Sequence, residues 1–237
     1  MSFTAEVKDE LSRVPATCTH CDKATLAALV RIEGTLFVSG PGRYRVEVAT
    51  DVGNVARLII KLLHGIYHLK TDLTVRRSVL HKTPNYLIEV PSQPHLADAL
   101  RDMGVLSAGE GLELGIRPEL VEKRCCAAAY LRGAFLGSGF ISNPRGDFHF
   151  EITVESESLA EGLVALMKEQ GIHARIMQRR STYMVYLKSG AAILEFLAFT
   201  GAHHCALAME NERVVKSVRN DVNRMTNAEV ANQAKSA

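Results

Sequence analysis

The chain is written twice. When "ATLAALVRIEGTLFVSG" (Ala24 to Gly40) is set against "AYLRGAFLGSGFISN" (Ala129 to Asn143), Ala24 falls on Ala129, Leu26 on Leu131, Ala28 on Gly133 and Gly34 on Gly139. A duplication constrains the fold more than any local propensity, because both copies must build the same unit. Each helical stretch is followed by a turn of Gly and Pro, "SGPGR" or "NPRGD", and then by an alternating strand. Tyr44, Val46 and Val48 match Phe148, Phe150 and Ile152 on one apolar face. Arg45, Glu47, His149 and Glu151 point the other way.

The correspondence continues. Helical patterns "VARLIIKLLHGI" and "LAEGLVALMKEQGI" come next, the second with an N-cap among Ser156 to Ser158. A second hairpin follows in each copy, "LTVRRSV" with "YLIEV" and "ARIMQRR" with "YMVYL". Each unit closes on a helix in which Leu96, Leu100 and Gly104 match Ile193, Leu197 and Gly201. The unit is helix, hairpin, helix, hairpin, helix, and the fold class is an α+β pseudo-dimer of two such repeats. Ahead of them "SFTAEVKDELSRV" places Phe3, Val7 and Leu11 on one helical stripe, with Ser2 or Thr4 as cap. Behind them "CALAMENERVVKSVRNDVNRM" is a further helix, and "TNAEVANQAKSA" either extends it or begins a linker. The expected division is 1–22 for the N-terminal helix and lead-in, 23–106 for the first repeat, 107–202 for the second, and 203–237 for the C-terminal helix and linker.

No apolar run reaches the roughly 18 residues of a membrane span, and "MSFTAEVKDEL" lacks the basic then apolar order of a secretory signal. A cytoplasmic protein is expected. Five cysteines, an odd number with Cys125 next to Cys126, do not form a disulfide framework and read as reduced thiols. A net charge of +2 neither requires nor excludes a nucleic-acid partner, so the placement of charge must decide.

Ala129, Gly133 and Gly137 recur every fourth residue within a helical stretch, although glycine there costs roughly 1 kcal/mol relative to alanine. Small residues at this spacing let two backbones approach closely. The duplicated position makes Ala24 and Ala28 of the first copy the surface they face. "LAALVRIEG" (Leu26 to Gly34) resembles the LAGLIDADG motif of homing endonucleases, and "LRGAFLGSG" (Leu131 to Gly139) resembles a more degenerate second copy. The resemblance implies saddle-shaped antiparallel sheets over DNA, with the two motif helices at the repeat interface.

In active members the last acid of each motif holds the catalytic Mg²⁺. Here the first copy has Glu33 but the second has Ser138. One carboxylate and one hydroxyl make a poor Mg²⁺ site. Both positions are read as vestigial, Glu33 as a cap or ion-pair partner at the helix junction. No catalytic residue is assigned and no enzyme activity is expected.

A narrower resemblance, spanning essentially the whole chain, is to the WhiA family of Gram-positive sporulation regulators. It rests on "SFTAEVKDELSR", the cysteine-containing approach to the first motif helix, "GAFLGSGFISNP" and "NRMTNAEVANQAKSA". It implies a non-catalytic, nucleoid-associated transcription regulator of sporulation and cell-division genes. The expected partners are DNA, chiefly through a helix-turn-helix beyond Ala237, a WhiB-like iron–sulfur protein and RNA polymerase. The chain is therefore expected to be a scaffold fragment of a longer protein.

The same resemblance turns the outward hairpin faces toward DNA. They carry Arg43, Arg45, Arg76, Arg77, Arg145, Arg179 and Arg180. Such arginines give salt-sensitive, largely sequence-independent affinity. The rivals are an active homing endonuclease and a protein-binding module with no DNA contact of its own.

"CTHC" (Cys18 to Cys21) has zinc spacing, and Cys125, Cys126, His203, His204 and Cys205 are candidates to complete a site. A single CxxC is weak, and adjacent helical cysteines are expected to project in different directions. The expectation is thiols without metal, and no cofactor. No Ser/His/Asp or Cys/His nucleophile and no phosphate-cradling loop is present.

Overall fold

A computed structural model describes residues 2–77, 84–107, 109 and 111–236. The part of "LTVRRSV" beyond Arg77, the side chain of Arg77, and Ala237 lie outside the described portion. The first repeat runs α2 (Cys21–Glu33), β1 (Gly34–Gly40), β2 (Arg43–Thr50), α3 (Gly53–Tyr67), β3 (Asp72–Arg77), β4 (Pro84–Val90) and α4 (Leu96–Asp102), preceded by α1 (Phe3–Leu11). The second runs α5 (Arg124–Ser138), β5 (Gly139–Ile141), β6 (Phe150–Val154), α6 (Glu157–Glu169), β7 (Arg175–Arg179), β8 (Thr182–Leu187) and α7 (Gly190–Thr200). A long α8 (His203–Ser236) follows, so the tail extends the helix.

Each repeat forms one antiparallel four-stranded sheet, in the orders β1-β2-β4-β3 and β5-β6-β8-β7. The registers coincide: Gly34 pairs with Val48, and Gly139 with Ile152. Helices α3 and α6 bury the same stripe, Val55, Ala56, Ile59, Leu62 and Leu63 against Leu159, Ala160, Leu163, Leu166 and Met167. That spacing is the core face of an amphipathic helix. Gly104 and Gly201 both take left-handed φ, 67° and 102°, just past matched helices, where a Cβ is disfavoured. In the second repeat Phe135, Phe150 and Phe196 form the aromatic centre, with ring centroids 4.5–5.9 Å apart.

The caps follow side-chain chemistry. Ser2 accepts from the Ala5 N–H, and Ser156 accepts from the Leu159 N–H. Thr4 instead brackets β5, donating to Ile141 O at 2.7 Å and accepting from its N–H at 3.1 Å. The two hairpins diverge at one point. Phe148, expected in the strand, precedes β6, which begins at Phe150. Local bonds displace the ladder there: Asn143 Oδ1 accepts from the Arg145 N–H, and Ser142 Oγ joins Asp147 O and the His149 N–H. Among the described residues no helix is long and apolar enough to cross a membrane.

Candidate functional site

Helices α2 and α5 form the seam between repeats. Ala24, Ala28 and Ala129 are fully buried. A Cβ on Gly133 would stand 2.3 Å from Thr25 O and 2.9 Å from Ala28 Cβ. The hydroxyl of Thr25 donates across the seam to Ala129 O at 3.1 Å. Only a bare backbone fits this crossing. Gly137 is less tight, with Ile32 Cγ2 at 3.3 Å from its notional Cβ.

At the end of the seam the motif acids of an endonuclease would converge. Glu33 closes α2 and Ser138 closes α5. The Ser138 hydroxyl is turned to its own repeat, donating to Thr153 O. Glu33 feels the ammonium of Lys8 electrostatically, together with the carboxylates of Asp51 and, from the second repeat, Glu155. Lys8, 8% exposed, donates from Nζ to Gly137 O at 2.8 Å, and Asp51 and Glu33 act on it electrostatically. Burial lowers the Lys8 pKa, the two carboxylates working against that shift. Burial raises the Glu33 pKa, opposed by Lys8 and reinforced by Asp51 and Glu155. The local countercharge for Glu33 is thus built into α1 as a side chain.

The outer faces of the two sheets differ in charge. Strand register puts Thr35, Glu47, Glu89 and Asp72 in one row across the first sheet. The equivalent row of the second is Phe140, Glu151, Tyr186 and Arg175. Arg45 is held by Glu47 and, at 3.3 Å, by Glu89, with its guanidinium 4.0 Å over the Phe37 ring. Arg43 and Arg76 are exposed on this face. On the second sheet Arg179 pairs with Thr182 at the hairpin end, and Arg180 sits in the turn at φ 57°. Glu151 is bonded by His149 Nε2 at 2.8 Å. Arg145 lies on the β5–β6 loop and reaches α8, its Nε 3.1 Å from Glu212 Oε1. That loop is further bound by Lys216, which donates to Gly146 O and lies 4.3 Å over the Phe148 ring.

Two residues here escape a sequence reading. Arg175 belongs to the outer row beside Arg179, but its repeat counterpart is Asp72, so a search for duplicated arginines passes over it. Lys8 reads as one more polar position of an amphipathic helix, and only its burial gives it meaning.

The cysteines converge. Contrary to the expectation that Cys125 and Cys126 diverge, both Sγ atoms lie 3.6 Å from Cys18 Sγ, and Cys21 Sγ lies 3.4 Å from it. The two residues open α5, and Cys18 sits at a height where both first-turn side chains reach it. His203, His204 and Cys205 are not in the group. Among the described residues the one set of three or more His, Cys, Asp or Glu placed to hold a metal is these four cysteines. The Cys18 thiol is lowered to about 6 by hydrogen bonds from the His20 N–H and from Cys21. Burial pushes the Cys126 thiol upward. Cys205, buried against Glu10, is pushed up to about 12.

Two family models match the chain: a WhiA N-terminal LAGLIDADG-like domain over residues 19–106 and a WhiA LAGLIDADG-like domain over residues 127–219. A "Probable cell division protein WhiA" of Desulforamulus reducens is 39% identical over 234 residues, covering 98% of this chain and 73% of the relative. One from Desulfitobacterium hafniense is 41% identical over 233 residues, covering 98% and 73%. Among solved structures, full-length DUF199/WhiA from Thermatoga maritima superposes with a TM-score of 0.75 at 23% identity, covering 99% of this chain and 74% of that one. The homing endonuclease I-DmoI in complex with DNA and Mn reaches a TM-score of 0.52 at 15% identity, covering 76% and 96%. At these identities the structures speak for the fold, which is that of the LAGLIDADG proteins.

Proposed function

The chain belongs to the WhiA family of LAGLIDADG-like proteins, and from that premise we propose that it is a non-catalytic, DNA-associated scaffold of a transcription regulator. The observation that carries the non-catalytic part is the end of the seam. Phosphodiester hydrolysis by this fold needs converging carboxylates that bind divalent cations and hold the attacking water. Here one motif acid is replaced by Ser138, whose hydroxyl is spent on Thr153 O, and the other, Glu33, stands in the field of the buried Lys8 ammonium as well as of Asp51 and Glu155. A cation brought to Glu33 would have to compete with the Lys8 ammonium for the same carboxylates.

DNA association is supported by Arg175, Arg179 and Arg180 on the second sheet, in a fold whose relative I-DmoI was solved in complex with DNA and Mn. A part in cell division is in keeping with the relatives' name, while control of sporulation and cell-division genes, with a WhiB-like protein and RNA polymerase as partners, is what the family reading implies. A second reading, a protein-binding face, draws on Phe140 and Met177, which are 45% and 47% exposed on the same outer face.

One experiment separates these. The chain is titrated with duplex DNA across a salt series and, in parallel, incubated with a broad duplex library and Mg²⁺ or Mn²⁺. The proposal expects no cleavage, and binding whose affinity falls steeply with salt and is weakened by Arg179→Ala with Arg180→Ala. Metal-dependent cleavage abolished by Glu33→Gln would establish the endonuclease instead. Absence of salt-dependent binding would leave the protein-binding face.

A further inference from the structure

The four-cysteine cluster belongs to neither the motif ends nor the sheet faces, and nothing in the proposed function uses it. Its sulfurs all lie within 4.8 Å of one another, with Cys18 at 3.4–3.6 Å from the other three. A zinc ion bound by four thiolates at about 2.3 Å makes a tetrahedron whose edges are about 3.8 Å. The cluster therefore has the size of that tetrahedron. A disulfide at about 2.05 Å would draw two of the sulfurs out of it.

We propose that Cys18, Cys21, Cys125 and Cys126 form a structural zinc site that clamps the two repeats together at the N-terminal ends of their seam helices. Cys18 and Cys21 come from the start of the first repeat and Cys125 and Cys126 from the start of the second, so the metal joins segments more than a hundred residues apart in the chain. The helices cooperate. Cys21 is the first residue of α2, and Cys125 and Cys126 are in the first turn of α5. The positive ends of two helix dipoles therefore meet the sulfurs and favour thiolates over thiols.

The surroundings fit a closed structural site with an open route for loading. Cys21 and Cys126 are buried while Cys18 and Cys125 are half-buried, and Cys125 lines a surface groove with Thr17, Arg124 and Phe199. Four thiolates around Zn²⁺ leave two negative charges in excess. The buried guanidinium of Arg132, held by Thr200 O at 2.8 Å, senses Cys21 and Asp22 and offsets part of that excess. All-sulfur tetrahedral donor sets select zinc or iron over hard cations, and a site that needs no redox change fits zinc.

The test begins with the full chain purified under reducing conditions from zinc-replete cells. Elemental analysis is expected to show one zinc per chain, and cobalt exchange to give the absorption of a tetrahedral tetrathiolate centre. Cys18→Ser and Cys126→Ser are each expected to reduce bound zinc to near nothing, while Cys205→Ser keeps it. Should a cysteine variant fail to fold, the unaltered chain still answers: stripping its zinc with a chelator should lower the thermal midpoint, and added zinc should restore it. Absence of zinc and failure to take up cobalt in the reduced, folded chain would overturn the proposal. Iron in place of zinc, zinc retained by Cys18→Ser, or a Cys18–Cys21 disulfide in the freshly isolated protein would overturn it equally.

Discussion

At Gly133 the backbone of α5 lies directly against the backbone of α2, with only the Ala28 methyl beside it. Replacing it with alanine adds a Cβ 2.3 Å from the carbonyl oxygen of Thr25, a backbone atom that cannot turn aside. Overpacking of this kind costs about 1–3 kcal/mol, which outweighs the roughly 1 kcal/mol alanine gains in helix propensity. Gly133→Ala should lower the denaturation midpoint, whereas Gly137→Ala, facing a movable Ile32 methyl at 3.3 Å, should leave it nearly unchanged. Glu33 gives a prediction of opposite sign. Its pKa is raised by burial, so the folded state holds the proton more tightly than the unfolded chain does. Ionisation then costs stability as pH rises through the carboxylate range. Glu33→Gln should raise the midpoint at neutral pH, and the gain should vanish in acid, where the native carboxyl is also neutral. Gly133 was legible because its partner position is duplicated. Lys8 was not, because the burial of one amine depends on the tilt of α1 over the seam, which no local pattern encodes.

Elements are placed by their ends as much as by their faces. Helix α8 starts against α1 through Glu10, whose Oε1 accepts from the His204 N–H at 2.8 Å and whose Oε2 accepts from the Cys205 N–H at 2.9 Å. Burial would raise the Glu10 pKa, but the Cys205 thiol, the two amides and His204 outweigh it and hold the carboxyl below its ordinary value. A depressed carboxyl stabilises the fold above its unfolded pKa and loses that contribution as pH falls through the folded one. Glu10→Gln should therefore cost about 1 kcal/mol at neutral pH, the worth of a helix N-terminal carboxylate, and nothing once both states are protonated. Chemical denaturation at several pH values, scored by the loss of α8, measures this. The order of elements was readable because periods of 3.6 and 2 alternate identically in both copies, down to the stripe from Val55 to Leu63 that recurs from Leu159 to Met167. The meeting of Cys18 and Cys21 with Cys125 and Cys126 was not, since it depends on α2 and α5 entering the seam from the same end.

Across the whole molecule the duplication is geometric but not electrostatic. The outer row of the first sheet offers Glu47, Glu89 and Asp72, with Arg45 engaged by two of them; the second offers Arg175 where the first has Asp72. A polyanion laid over both sheets would meet three acids in the first row but only Glu151 in the second, where Arg175 balances it and Arg179 and Arg180 add positive charge, so binding should be concentrated on the second repeat. Each phosphate neutralised contributes about 0.9 to the slope of log affinity against log salt. Arg175→Ala with Arg179→Ala is therefore expected to reduce that slope by about 2, whereas Arg43→Ala alone should change it little because the acids beside it persist. Asp72→Arg copies the second row into the first, and is expected to raise both the affinity and the slope, the latter by about 1. Fluorescence titrations with one labelled duplex at graded salt measure all three variants on a common scale. Should Asp72→Arg leave the slope unchanged while Arg175→Ala with Arg179→Ala lowers it, the duplex spans only the second sheet.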